Sequence, residues 1–102
     1  MINSAVNIPH ERMADLCRRY GIRSLTLFGS ATRADFRPDS DIDVLVEFEK
    51  NAEASLFDLV EIARELSELF GNRAVDVVTP AVLRNPYRRR AILKDLERVY
   101  DV

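Results

Sequence analysis

Apolar residues recur along the chain with two alternating periods, and these divide it into helices and strands. Met13, Leu16, Cys17 and Tyr20 follow the i, i+3, i+4, i+7 spacing of one helix face. Ile8-Pro9-His10 can open that helix and Gly21 can end it. In Ser24–Phe28 the period changes to two, with Leu25 and Leu27 alternating as in a half-buried strand that runs directly into Gly29-Ser30. Ala31 to Ser40 is polar and turn-rich, which predicts a short helix and then a turn. Asp41–Phe48 reads as a second strand, with Ile42, Val44 and Val46 on one face and Leu45 on the other, as expected of a central strand buried on both sides.

Ser55-Leu56-Phe57-Asp58 resembles a capping box and opens a helix whose expected stripe is Leu56, Leu59, Val60, Ala63, Leu66 and Phe70, closed by Gly71. Ala74–Thr79 is rich in β-branched residues and is stopped by Pro80, which predicts a third strand. Asn85-Pro86 can cap a last helix carrying Ile92, Leu96, Val99 and Tyr100 as its stripe, with Arg84, Arg88, Arg89 and Arg90 at its start. The order helix, strand, short helix, strand, helix, strand, helix is an α/β (α+β) layout.

Composition narrows the possibilities. At 102 residues, 47% of them hydrophobic, the chain suits one domain, residues 1–102, with a single core. A net charge of −2 gives no general attraction to a polyanion, so direct nucleic-acid binding rests on the arginine cluster and the tyrosines alone and is the weakest of the function classes. The lone Cys17 excludes an internal disulfide and falls on an apolar stripe. No apolar run spans a bilayer, and Met1-Ile2-Asn3-Ser4 has no signal-like character, so the expected home is the cytoplasm. His10 has no neighbours at ligand spacing. Tyr20, Tyr87 and Tyr100 could stack on a base, although two of them match core stripes.

Three features carry candidate chemistry. Gly29-Ser30 follows a strand, where a glycine lets phosphate approach the backbone and a hydroxyl can bond to a phosphate oxygen, although an isolated Gly-Ser is also an ordinary turn maker. In Asp41-Ile42-Asp43, strand geometry sends both carboxylates to one face with Cα atoms roughly 6.6 Å apart. Such a pair is either a solvated strand start or a site for a hard divalent ion such as Mg²⁺. Asp76 interrupts an apolar strand, where a carboxylate needs compensation, either from an arginine or as a third metal ligand able to accept a proton from an attacking hydroxyl. Together they describe in-line attack on a phosphoryl group.

The spacing of Gly29-Ser30, Asp41-Ile42-Asp43 and Asp76 resembles the signature of the DNA polymerase beta nucleotidyltransferase superfamily. The runs Leu27–Arg33 and Pro38–Val46 are similar to its minimal nucleotidyltransferase (MNT) group. That resemblance implies a mixed, twisted sheet flanked by helices. It implies Asp41, Asp43 and Asp76 as the catalytic ligands of two Mg²⁺ ions, Gly29 and Ser30 at the triphosphate, and Arg33 near the phosphates or bracing the loop. It further implies ATP as substrate and, as partner, a HEPN-domain ribonuclease toxin silenced by transfer of AMP to a tyrosine. The alternative is an antitoxin that neutralises its toxin by binding alone. Ala34 stands where the family often has glycine, and would be strained in a left-handed turn. The sequence leaves open a homo- or hetero-oligomer, the base preference and the acceptor hydroxyl.

Overall fold

A computed structural model describes residues 7–33, 37 and 40–101 of the chain. Its elements are α1 (His10–Tyr20), β1 (Ile22–Phe28), a 3₁₀ turn (Gly29–Thr32), β2 (Ile42–Phe48), α2 (Leu56–Leu69), β3 (Val75–Val78), a second 3₁₀ turn (Pro80–Arg84), α3 (Pro86–Leu93) and β4 (Glu97–Asp101). The sheet order is β3-β2-β1-β4, with β1 antiparallel to both neighbours and β2 parallel to β3. This is the mixed sheet flanked by helices that the resemblance implies, in the α/β layout that the periodicity predicts.

The main core lies between one sheet face and helices α1 and α2. Leu25 pairs with Val46 and Leu27 with Val44, and these side chains join Met13, Leu16, Cys17, Ile62 and Leu66 in one buried cluster. Burial pushes the Cys17 thiol up to about 12, so it packs as a small hydrophobe. Glu65 ties the two helices together, accepting from Arg19 Nη2 at 2.7 Å and from the Tyr20 hydroxyl at 2.6 Å. The capping box of α2 is present in both directions: Ser55 Oγ accepts from the Asp58 N–H, and Asp58 Oδ2 accepts from the Ser55 N–H.

Four expectations are corrected. Residues 24–28 of β1 are all buried rather than half-buried, because β4 and β2 make it an interior strand. On β2, burial is complete on the Ile42, Val44 and Val46 face only; Asp43 and Leu45 opposite are half-buried. Leu56 and Val60 of the expected α2 stripe are 80% and 66% exposed. The buried arc is set by Ile62, and at about 100° per residue Leu56 and Val60 lie roughly 120° and 160° round the helix from it.

The largest correction concerns the last helix, which ends at Leu93, so that Leu96 lies beyond it and Val99 and Tyr100 belong to β4. Tyr100 pairs with Leu25, and Arg98 with Thr26. Pairing satisfies the edge of β1, and Val99 and Tyr100 are good strand formers. The short helix expected from Ala31 onward is a 3₁₀ turn that begins at Gly29 and ends at Thr32, and further on the Ser40 N–H bonds to the Arg37 carbonyl. Ala34 and the Pro38-Asp39 part of the MNT-like run lie outside the described residues. Among the described residues no helix is long and apolar enough to cross a membrane.

Candidate active site

Strand register alone builds a row of functional residues across the sheet face opposite the main core. Phe28, the last residue of β1, stands against Asp43 of β2, and Asp43 stands against Asp76 of β3. Neighbours in register share a face, so both carboxylates emerge beside the point where β1 turns into Gly29. Asp41, one residue before β2, is exposed at the same end of the sheet. Its carbonyl accepts the Ser30 hydroxyl at 3.4 Å, which links the Gly29-Ser30 turn to the start of β2.

That turn is a 3₁₀ segment too short to be an extended helix start. The Thr32 hydroxyl donates to the Gly29 carbonyl at 2.8 Å, and the Arg33 N–H to the Ser30 carbonyl at 3.0 Å. Gly29 has φ +71°, and a Cβ placed on it would lie 2.5 Å from Asp43 Oδ2. Only a residue without a side chain lets the turn lie against this carboxylate.

Burial and then the charges of Asp76 and Asp41 hold the Asp43 carboxyl above its ordinary value, while Arg33 and Arg88 pull it down. Three like charges drawn together at one sheet end favour an added cation. Among the described residues no three acidic, histidine or cysteine side chains form a ready-made metal cage. The all-oxygen donor set nevertheless fits Mg²⁺, which typically binds through one or two carboxylates and completes its shell with water and substrate phosphates. Asp76 differs from expectation in one respect. It is exposed on the sheet's edge strand, where water can hydrate it, and its charge helps to raise the Asp43 carboxyl.

Arg33 reaches across the turn to Asp95, in the loop between α3 and β4, at 3.1 Å. This bracing partner could not be read from the sequence, since 62 positions separate the two. Arg88 was legible only as one of a basic cluster; the structure separates it from Arg89 and Arg90 by placing it in an open cleft of about 400 Å³. Gly29, Asp43, Arg33 and Arg88 form the charged part of that cleft, and Phe28, Ala91, Ile92 and Tyr87 its apolar part. Among the tyrosines, Tyr20 packs against the core from its helix stripe and Tyr100 from β4 in place of the expected helix, whereas Tyr87 lines the cleft. His10 is exposed at the start of α1 and is not among the residues that line the cleft.

Comparison with known proteins shows the family to which the chain belongs. The family model for the nucleotidyltransferase domain matches residues 13–99. MJ1379 of Methanocaldococcus jannaschii, provisionally named a protein adenylyltransferase, is 36% identical over 78 residues, covering 76% of this chain and 77% of its own. The protein adenylyltransferase MntA of Thermococcus cleftensis is 38% identical over 71 residues, 70% of this chain and 69% of its own. Among solved structures, the complex of a tri-AMPylated Shewanella oneidensis HEPN toxin with its MNT antitoxin contains a chain that matches with a TM-score of 0.59. That match covers 91% of this chain and 70% of the other at 18% identity, a likeness of fold.

Proposed function

Since the chain belongs to the nucleotidyltransferase domain family, we propose that it transfers AMP from ATP to a hydroxyl, the acceptor being a tyrosine of a partner HEPN-domain ribonuclease toxin that it silences as an antitoxin. The observation that carries this reading is the register row in which Asp43 faces Asp76 while its carboxylate touches the space that Gly29 leaves open. The relatives named as adenylyltransferases support AMP as the group moved, and the Shewanella complex supports the kind of partner.

In this mechanism the chain's own residues position and neutralise. Gly29 keeps the turn low against β2, so that the Ser30 hydroxyl can exchange its long bond to the Asp41 carbonyl for a phosphate oxygen. Arg33, braced by Asp95, and Arg88 line the cleft with Asp43 and offset triphosphate charge there. Asp41, Asp43 and Asp76 would hold Mg²⁺, two ions by family resemblance, which when bound neutralises the triphosphate and the departing pyrophosphate. The acceptor oxygen forms a bond to the α-phosphorus as the bond from that phosphorus to the pyrophosphate oxygen breaks in line. The hydroxyl proton passes to Asp76, whose exposed carboxylate an incoming macromolecular acceptor can reach.

The test is incubation of the purified protein with Mg²⁺, ATP and its HEPN partner, followed by intact-mass analysis of the partner. An added AMP on a tyrosine, lost with Asp41→Asn or Asp43→Asn, is the expected result. A tight complex that silences the toxin with no change of mass would overturn transfer in favour of neutralisation by binding alone.

A further inference from the structure

Tyr87, the second residue of α3, is 84% exposed, yet its backbone is firmly placed. Asn85 Oδ1 accepts hydrogen bonds from the N–H groups of Tyr87 and Arg88 at 3.0 and 3.2 Å, and Pro86 occupies the first helical position. At the other end of the helix Ile92 is buried, anchoring α3 to the molecule. The first turn therefore presents its side chains from a fixed platform.

Two chemistries meet in the cleft below it. Arg33 and Arg88 line it together with Gly29 and Asp43, and the two guanidinium groups suit a polyphosphate. Phe28, Tyr87, Ala91 and Ile92 line the same cleft with apolar surface, for which a polyphosphate has no use. A flat, π-faced group attached to a polyphosphate satisfies both kinds of lining at once, since stacking on an aromatic ring buries apolar surface that water otherwise covers.

Resting on the nucleotidyl-transfer reading above, we infer that Tyr87 is the stacking platform for the nucleobase, so that consecutive residues of one helical turn take the base and, through Arg88, the phosphates. Every base has a π face, so this contact grips the nucleotide without selecting adenine over guanine. Tyr87 thus sets affinity for nucleoside triphosphates as a class.

Equilibrium binding in the presence of Mg²⁺, measured by calorimetry with ATP, GTP and inorganic tripolyphosphate, tests the assignment. Tyr87→Ala is expected to weaken ATP and GTP alike by about tenfold while leaving tripolyphosphate unchanged, and Tyr87→Phe to bind all three as the wild type does. Because the side chain is exposed, neither change should alter the circular dichroism spectrum. Unweakened ATP binding by Tyr87→Ala, or an equal weakening of tripolyphosphate, would overturn the stacking role while leaving the nucleotide site standing. Failure of the wild type to bind ATP at all would overturn both.

Discussion

Gly29 and Asp43 are fitted to each other: a methyl group on the glycine would come within 2.5 Å of Asp43 Oδ2, and the glycine's own φ of +71° is one that other residues resist. The contact joins the phosphate-side turn to the carboxylate row through the absence of a side chain.

Gly29→Ala should therefore do two kinds of damage. The left-handed backbone costs about 1–2 kcal/mol for any L-residue, and the displaced Asp43 carboxylate should lower AMP transfer by on the order of 100-fold or more. Gly71→Ala separates the two effects. Gly71 has φ +78° with nothing within 4 Å of an added Cβ, so that variant should lose similar stability and keep its transfer activity. Urea unfolding and the intact-mass assay on both variants check this; equal activity in the two would mean that the Gly29–Asp43 contact has no role in transfer.

Much of this arrangement can be read from the chain before any fold is known, and the parts that cannot share a cause. Asp43 and Asp76 stand out because a carboxylate conflicts with the apolar strands that carry them, and Gly29 and Asp41 because they stand at the ends of such strands. Local signals also suffice for α1, for the Ser55–Asp58 cap and for the Asn85 cap. What escapes is whatever depends on neighbours remote in sequence. Ile92, Leu96, Val99 and Tyr100 have a spacing compatible with a helix, and only the unpaired side of β1 decides that the last two belong to a strand. The exposure of Asp76 follows from β3 being an edge strand, and Arg33's bond to Asp95 from the return of the chain after α3. Val60 fits the apolar spacing of α2 and is nonetheless exposed, because hydrophobicity alone does not say which arc of a helix meets the sheet.

Asp43→Asn should separate folding from chemistry. The carboxylate is half-buried beside two like charges, and removing its charge relieves repulsion, so the variant should unfold at the same or a higher urea concentration than the wild type. Transfer should fall by on the order of 10²–10³-fold through loss of a metal-holding oxygen. Loss of the native circular dichroism spectrum, or retention of full transfer, would contradict the role given to this residue.

Asp95 should act on ATP only through Arg33. The pair is partly exposed, so its rupture should cost little stability. Arg33→Ala should raise the KM for ATP by about tenfold through loss of a charge-assisted phosphate contact. Asp95→Asn leaves the guanidinium present but less firmly aimed, and should raise KM by a smaller factor. In the double variant the effect should equal that of Arg33→Ala alone, because Asp95 then has nothing left to orient. Additive effects in steady-state kinetics would show that the two residues act separately.

The α1–α2 junction should make stability pH-dependent in a known direction. The Arg19 guanidinium, and then the Tyr20 hydroxyl, hold the Glu65 carboxyl below its ordinary value. The folded protein therefore binds this proton less readily than the unfolded chain does. Its contribution is fully present above the unfolded carboxylate pKa of about 4.3 and is lost as pH falls through the lower folded value. Asp43, whose carboxyl is held above its ordinary value, works in the opposite sense, so the informative quantity is the difference between wild type and Glu65→Gln. Urea unfolding from pH 7 down to pH 3 should show the wild type more stable at neutral pH and the gap narrowing towards the acid end. Tyr20→Phe should lose about 1.5–3 kcal/mol at neutral pH, since it removes a partly buried bond to a charged acceptor. A gap between wild type and Glu65→Gln that stays constant over the whole range would mean that Glu65 joins the helices by packing, with no contribution from its charge.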